Sequence, residues 1–136
     1  IMLQKDASSP VFIIYSASRY SSDNYCLAQI QLKSGGNPTV AADWINKKQV
    51  FVTSSQNGVY GPGHNGFFTS SLAKADGTTV TENWFIYHAR SVANTSNGAR
   101  TPRMQKLTWN SDGSPNFGVA TVTGTDMPAP INENAR

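Results

Sequence analysis

Carboxylates are scarce in this chain: eight Asp and Glu stand against eleven Lys and Arg, with two His and one Cys. A lone Cys26 excludes an internal disulfide framework. It sits in "NYCLAQIQL", an alternating run with no adjacent cation, and reads as a buried strand thiol rather than a nucleophile. No apolar run approaches the ~20 residues that cross a bilayer, so no membrane partner is expected. The basic residues are scattered, only Lys47 and Lys48 being adjacent, which leaves no stripe to track a phosphate backbone. Nucleic acid is therefore not an expected partner. There is no HExxH, no paired Cys ligands, no GxSxG and no phosphate-cradling glycine loop. Ile1 opens the chain in mid-strand style, without an n-region or h-region, so it reads as an internal or processed segment. Any targeting signal would then lie upstream.

What is present points to β structure nearly throughout. "PVFIIYSAS" (10–18) is rich in aromatic and β-branched residues, and "NYCLAQIQL" (24–32) alternates. Further strands are expected over 48–55, 64–71, 82–91, 103–110 and 118–124. "NPTVAADWINK" allows one short helical turn at most. Turn chemistry separates these runs, as at Asp76-Gly77, Asp112-Gly113 and the Gly-Pro-Gly before His64. "PVFIIYSAS" and "NWFIYHARS" echo each other about 70 residues apart, in the range of propeller repeats though above the usual period. Each is followed by a loop bearing tyrosine or arginine and then by an alternating strand. The expected fold is all-β: short, evenly spaced strands suit a sandwich, a barrel or propeller blades, and the echo favours blades, about two of them. Two blades cannot close a ring, which typically takes about four to eight.

His64, in "VYGPGHNGFFTS", has two readings. It could cap a strand start, its ring satisfied by a backbone carbonyl. Alternatively, Gly61, Pro62 and Gly63 fix the loop so that the imidazole serves a site. His88, in "IYHARS", reads as a core or rim histidine. Arg100 and Arg103 flank Pro102; they are either two solvated loop charges or fixed guanidinium forks for a sugar or a carboxylate. Of the carboxylates, Asp6, Asp76 and Asp112 open turns and Glu133 lies in a tail, settings that do not raise a pKa for general-acid work. Trp44, Trp84 and Trp109 could stack on sugars, but two of the three are expected in the core. Asn94-Thr95-Ser96 forms one glycosylation sequon, a weak pointer to secretion.

Taken together, "IIYSAS", "VYGPGHNGFFTS", "ENWFIYHA" and "RMQKLTWNSDGSPNFG" resemble glycoside hydrolase family 43 in order and spacing. The resemblance runs from about Val11 to Gly124. It implies a five-bladed β-propeller enzyme of the α-L-arabinofuranosidase or β-xylosidase type, secreted, acting on plant cell-wall polysaccharide or oligosaccharide. This chain would form the C-terminal blades over 1–127, with a tail or linker over 128–136. The family mechanism inverts, with a general acid and base roughly 6.5–9.5 Å apart. Those carboxylates would all fall upstream of Ile1, in an N-terminal propeller segment that would be either a second chain or part of the same gene product. His64 matches the family histidine at the propeller centre, beside a water cluster or a metal ion for which calcium is expected. Arg100 matches the arginine reaching the sugar, with Arg103 as the lesser candidate and Ser16 and Ser18 near the pocket. A β-xylosidase, an arabinanase or a non-catalytic carbohydrate-binding β module remain as alternatives.

Overall fold

A computed structural model describes residues 1–95 and 99–132. Ser96 of the sequon and Glu133 therefore lie outside the described residues. Two four-stranded antiparallel sheets follow one another along the chain. The first holds β1 (Met2–Leu3), β2 (Phe12–Ala17), β3 (Cys26–Leu32) and β4 (Trp44–Phe51). The second holds β5 (Tyr60–Ala73), β6 (Thr79–Arg90), β7 (Arg100–Trp109) and β8 (Pro115–Asn116). In both, strands adjacent in sequence are adjacent in space, so each sheet is a meander. Among the described residues no helix is long and apolar enough to cross a membrane.

The echoed segments occupy the same place in the two sheets. "FIIYSA" is β2 and the end of β6 is "FIYHAR", each the second strand of its meander. Alternation then decides which side chains meet. Phe12 and Ile14 of β2, with Leu27 of β3, face Phe85, Tyr87 and Ala89 of β6 in one buried cluster. Phe51, ending β4, packs edge-on against Phe85 at 5.1 Å and Tyr87 at 4.8 Å, so the last strand of one sheet seals the core of the other. Trp84 is fully buried, stacked on Phe68 at 6.2 Å.

Three strand expectations need correction. β4 begins at Trp44 rather than near Lys48, because Trp44 and Ile45 pair with Leu32 and Gln31; the helical turn shrinks to a 3-10 turn over Ala41–Asp43. The Gly-Pro-Gly stretch is not a turn before a strand but the irregular start of β5, with register shifts between Tyr60 and Gly63 and between Gly63 and Gly66. No strand forms over 118–124. Gln105 of β7 takes the place of a ladder there, its Nε2 donating to the carbonyls of Phe117 at 2.9 Å and Val119 at 3.1 Å. Residues 128–132 run back across the second sheet: Ile131 N donates to Glu82 Oε2 at 3.1 Å and Asn132 N to Ser70 Oγ at 3.2 Å.

Candidate functional site

The start of β5 lies against the loop between β2 and β3, and glycine is what allows the approach. A Cβ on Gly63 would fall 2.1 Å from Tyr25 Cε1, inside the ring. The next residue, His64, adopts φ 55°, a left-handed backbone that disfavours any residue with a Cβ. Its N–H donates to Ser16 Oγ at 2.8 Å, so a hydroxyl on the first sheet pins the strained residue of the second. Strain held in place by surrounding contacts concentrates at functional positions.

Around His64 the structure gathers side chains from both sheets. The His64 and His88 rings lie 5.6 Å apart, and His88 stacks on Tyr25 at 6.1 Å. Arg100, opening β7, places its guanidinium carbon 5.5 Å from the Tyr20 ring centre and 6.0 Å from that of Tyr25. Arg100 Nη2 also donates to the Tyr20 carbonyl. Tyr20 itself is 58% exposed, an aromatic face open to solvent. His88 Nδ1 in this cluster, and Nδ2 of Asn65, the residue after His64, are buried without a hydrogen-bond partner among the described residues. Such orphaned groups mark places where a ligand or water completes the bonding.

Alternation separates the two arginines. Across β6 and β7, Arg100 pairs with Arg90 and Pro102 with His88, on one face; Arg103 pairs with Tyr87 on the other. Arg103 spends its terminal nitrogens on Thr123 Oγ1 at 2.6 Å and Ser91 Oγ at 2.9 Å. Ser18 stands apart from the cluster too, lining a groove of about 460 Å³ with Asp23, Gln49 and Thr53. Thus Ser16 and Arg100 are brought to His64, and Arg103 and Ser18 are not. Tyr20 and Tyr25 join the cluster without being singled out by sequence, and His88, read as a core or rim histidine, joins it as well. The signal was there in part, since the tyrosine-bearing loop of one sheet and the arginine-bearing loop of the other are equivalent, and they meet.

A buried ion pair holds these loops in register. Arg90 is 1% exposed, and its Nη2 binds Asp23 Oδ1 while its Nη1 donates to the Thr95 carbonyl. Asp23 Oδ2 accepts the Asn94 N–H at 3.0 Å, and the Asp23 carbonyl accepts the Thr53 hydroxyl. Thr53 Oγ1 in turn accepts the Gly61 N–H at 2.9 Å, which links the pair to the start of β5.

Electrostatics set the state of the site. Burial pushes the His88 imidazole below the ordinary histidine value, with further depression from Arg100 and then His64. The facing groups are thus two cations or potential cations and the Tyr25 ring, with no carboxylate partner among the described residues. Because folding disfavours protonated His88, its contribution to stability is full above about pH 6.5 and is lost as pH falls through the lower folded value. We expect His88→Gln to lose less thermal stability than the wild type between about pH 7 and about pH 5. Melting curves across that range read the difference directly, and parallel curves would remove His88 as a source of the slope.

Elsewhere the carboxylates are held ionised. Hydrogen bonds from Ser8 and Ser9 lower Asp6, Thr78 lowers Asp76 and Ser114 lowers Asp112. Lys33 lowers Asp43 and Lys106 lowers Glu82. None of these five is poised to donate a proton near neutrality. Calcium takes about six to eight oxygen ligands at about 2.3–2.6 Å. Around His64 stand an imidazole, a guanidinium and an amide nitrogen, and no group of three His, Cys, Asp or Glu among the described residues could hold a metal. These residues do not fit a calcium shell by themselves.

Comparison with known proteins places this arrangement. The family model for glycosyl hydrolases family 43 matches residues 4–115. The chain belongs to this family. An extracellular exo-α-(1->5)-L-arabinofuranosidase of Streptomyces avermitilis is 38% identical over 120 residues, 84% of this chain and 23% of that protein. The α-L-arabinofuranosidase 43 of Humicola insolens is 32% identical over 127 residues, 89% of this chain and 24% of that one. The crystal structure of an α-L-arabinofuranosidase from Lactobacillus brevis superposes with a TM-score of 0.69 at 26% identity, covering 92% of this chain and 37% of that one. A thermostable family-43 glycoside hydrolase shares the fold, with a TM-score of 0.67. The family 43 chain described here therefore spans about a quarter of the length of these curated relatives. Its two sheets are two blades of the family propeller.

Proposed function

We propose that this family 43 chain forms part of the sugar pocket of an inverting glycosidase that releases arabinofuranose from arabinose-containing polysaccharides. The observation that carries the reading is the convergence of His64, His88, Arg100 and Tyr20 from two blades, with two buried polar atoms left open to a ligand. Similarity to extracellular and fungal arabinofuranosidases supports the substrate class and secretion. Arg100 is already ordered by its bond to the Tyr20 carbonyl and by two aromatic faces, so binding a sugar hydroxyl costs it little further entropy. Tyr20 offers an exposed ring for the sugar's apolar face. His64 supports the pocket floor from the inter-blade seam.

The acid and base come from a propeller segment outside this chain, either the same polypeptide or a second one. A calcium ion on the propeller axis would draw its oxygens from there as well. Hydrolysis of nitrophenyl α-L-arabinofuranoside and β-D-xyloside by the intact protein tests the reading. Arabinofuranoside is expected to be the better substrate, with Arg100→Ala lowering kcat/KM by roughly 100-fold or more, the scale of losing a donor that strengthens in the transition state. Arg103→Ala should change kcat/KM by less than about threefold, since its two terminal nitrogens serve Thr123 and Ser91 on the face away from His88. An unchanged rate in the Arg100 variant would remove the arginine from the pocket. Binding of the glycan without any hydrolysis would turn the reading to a carbohydrate-binding module.

A further inference from the structure

The groove between the two blades holds a second polar recess that shares no residue with the His64 cluster. It has a volume of about 450 Å³, and Gln29, Gln31, Lys48 and Asp112 are among its walls. Gln29 lies on the core-facing side of β3, level with Ile14 of β2, and is 1% exposed. Its Oε1 is buried with no hydrogen-bond partner among the described residues. A carboxamide oxygen left bare in a buried position costs about 1–3 kcal/mol, which is a reason to look for what completes it.

The surroundings define the missing group. Lys48 is the cross-strand partner of Gln29, so both side chains leave the sheet on the same face. A bulge between Gln29 and Gln31 admits Asn46 at φ 54°, and Asn46 Nδ2 donates to Gln31 Oε1 at 2.9 Å. The opposite wall comes from the other blade: Asp112, whose Oδ1 accepts the Ser114 N–H at 2.9 Å. Lys48 helps to hold the Asp112 carboxyl in its charged form. With Lys47 also on the rim, two ammonium groups stand against one carboxylate.

We propose that this recess binds an acidic sugar unit, a uronic acid of a polysaccharide chain, apart from the site where hydrolysis is placed. A bare acceptor on the floor demands a donor from the ligand. Hydroxyl groups supply one, whereas a fully deprotonated anion such as sulfate does not. The surplus positive charge at the rim calls for one carboxylate on the same ligand. A uronic acid carries both. Because the walls come from both blades, the recess exists only when the two blades are packed, and its occupation ties the glycan to the outer flank of β3 and β4.

Affinity electrophoresis of the intact protein in gels containing polygalacturonate or neutral xylan tests this. Retardation is expected with polygalacturonate and much less with xylan. Lys47→Ala/Lys48→Ala and Gln29→Leu should each weaken the dissociation constant tenfold or more. A control pair, Lys5→Ala/Lys74→Ala, removes the same charge elsewhere and should leave binding within about twofold. Equal loss in the two lysine pairs would mean diffuse charge attraction and overturn the proposal. So would the absence of retardation by polygalacturonate, or undiminished binding in a folded Gln29→Leu protein. Should Gln29→Leu fail to fold, the comparison of the two lysine pairs decides by itself.

Discussion

His64→Asn is expected to lower kcat/KM on an arabinofuranoside by two orders of magnitude or more, on the order of 3 kcal/mol in transition-state stabilisation, while leaving the melting temperature unchanged or slightly raised. The two effects have separate causes. At φ 55° the histidine backbone is held in a conformation that costs a residue with a Cβ roughly 1–2 kcal/mol. Asparagine occupies that region more readily than histidine and keeps the N–H that donates to Ser16 Oγ. Folding therefore loses nothing. What goes is the imidazole, 5.6 Å from His88 and at the seam where both blades meet. Steady-state kinetics beside thermal unfolding separates the two. Wild-type activity in His64→Asn would leave the strained histidine without a functional role, and a large drop in melting temperature would make it a packing residue.

The largest stability effect is expected at Asp23. Arg90 has a side chain 2% exposed, and Asp23 is the carboxylate that compensates it. Removing one partner of such a pair strands the other charge in a medium that solvates it poorly, at about 3–5 kcal/mol. Asp23 is 23% exposed, so water reaches its end of the pair and the lower part of that range applies. For Asp23→Ala we expect a loss on the order of 3 kcal/mol and a melting temperature lower by on the order of 10 °C. Replacing both partners, as Asp23→Ala/Arg90→Met, should recover part of that loss because no buried charge remains unpaired. Denaturant unfolding of the two variants checks the order. A double variant less stable than Asp23→Ala would mean that Arg90 contributes chiefly through the Thr95 carbonyl and its own packing.

Much of the architecture was legible in the chain because period-two alternation is a local property. Phe12 and Ile14, or Phe85 and Tyr87, declare a buried face two residues at a time, and the turn dipeptides around them bound the strands. The echo between the two halves identified β2 and β6 as equivalent before any pairing was known. Where local rules misled, a distant partner had taken over. Glycines 61 and 63 look like a turn, yet Tyr25 and Ser22 press against them, and the backbone is drawn into β5 with its register broken. Val119 to Thr123 alternate like a strand, yet the amide of Gln105 captures the segment's backbone and no ladder forms.

The candidate site divides the same way. By itself the sequence determined that the chain is β throughout, that it carries a histidine on a glycine-rich strand start, and that Asp6, Asp76 and Asp112 sit in turns. These follow from composition and from near neighbours in the chain. Only the tertiary structure decided that Arg100 and not Arg103 faces His64, because strand alternation sends residues three apart to opposite faces. It alone brought Tyr20 to Arg100 across 80 residues, set His88 between Tyr25 and His64, and left Gln29 bare in the inter-blade groove. The Tyr20–Arg100 and Tyr25–His88 contacts join one blade to the other. No periodicity records them, since which residues meet across a seam depends on how two twisted sheets pack and not on the spacing within either one.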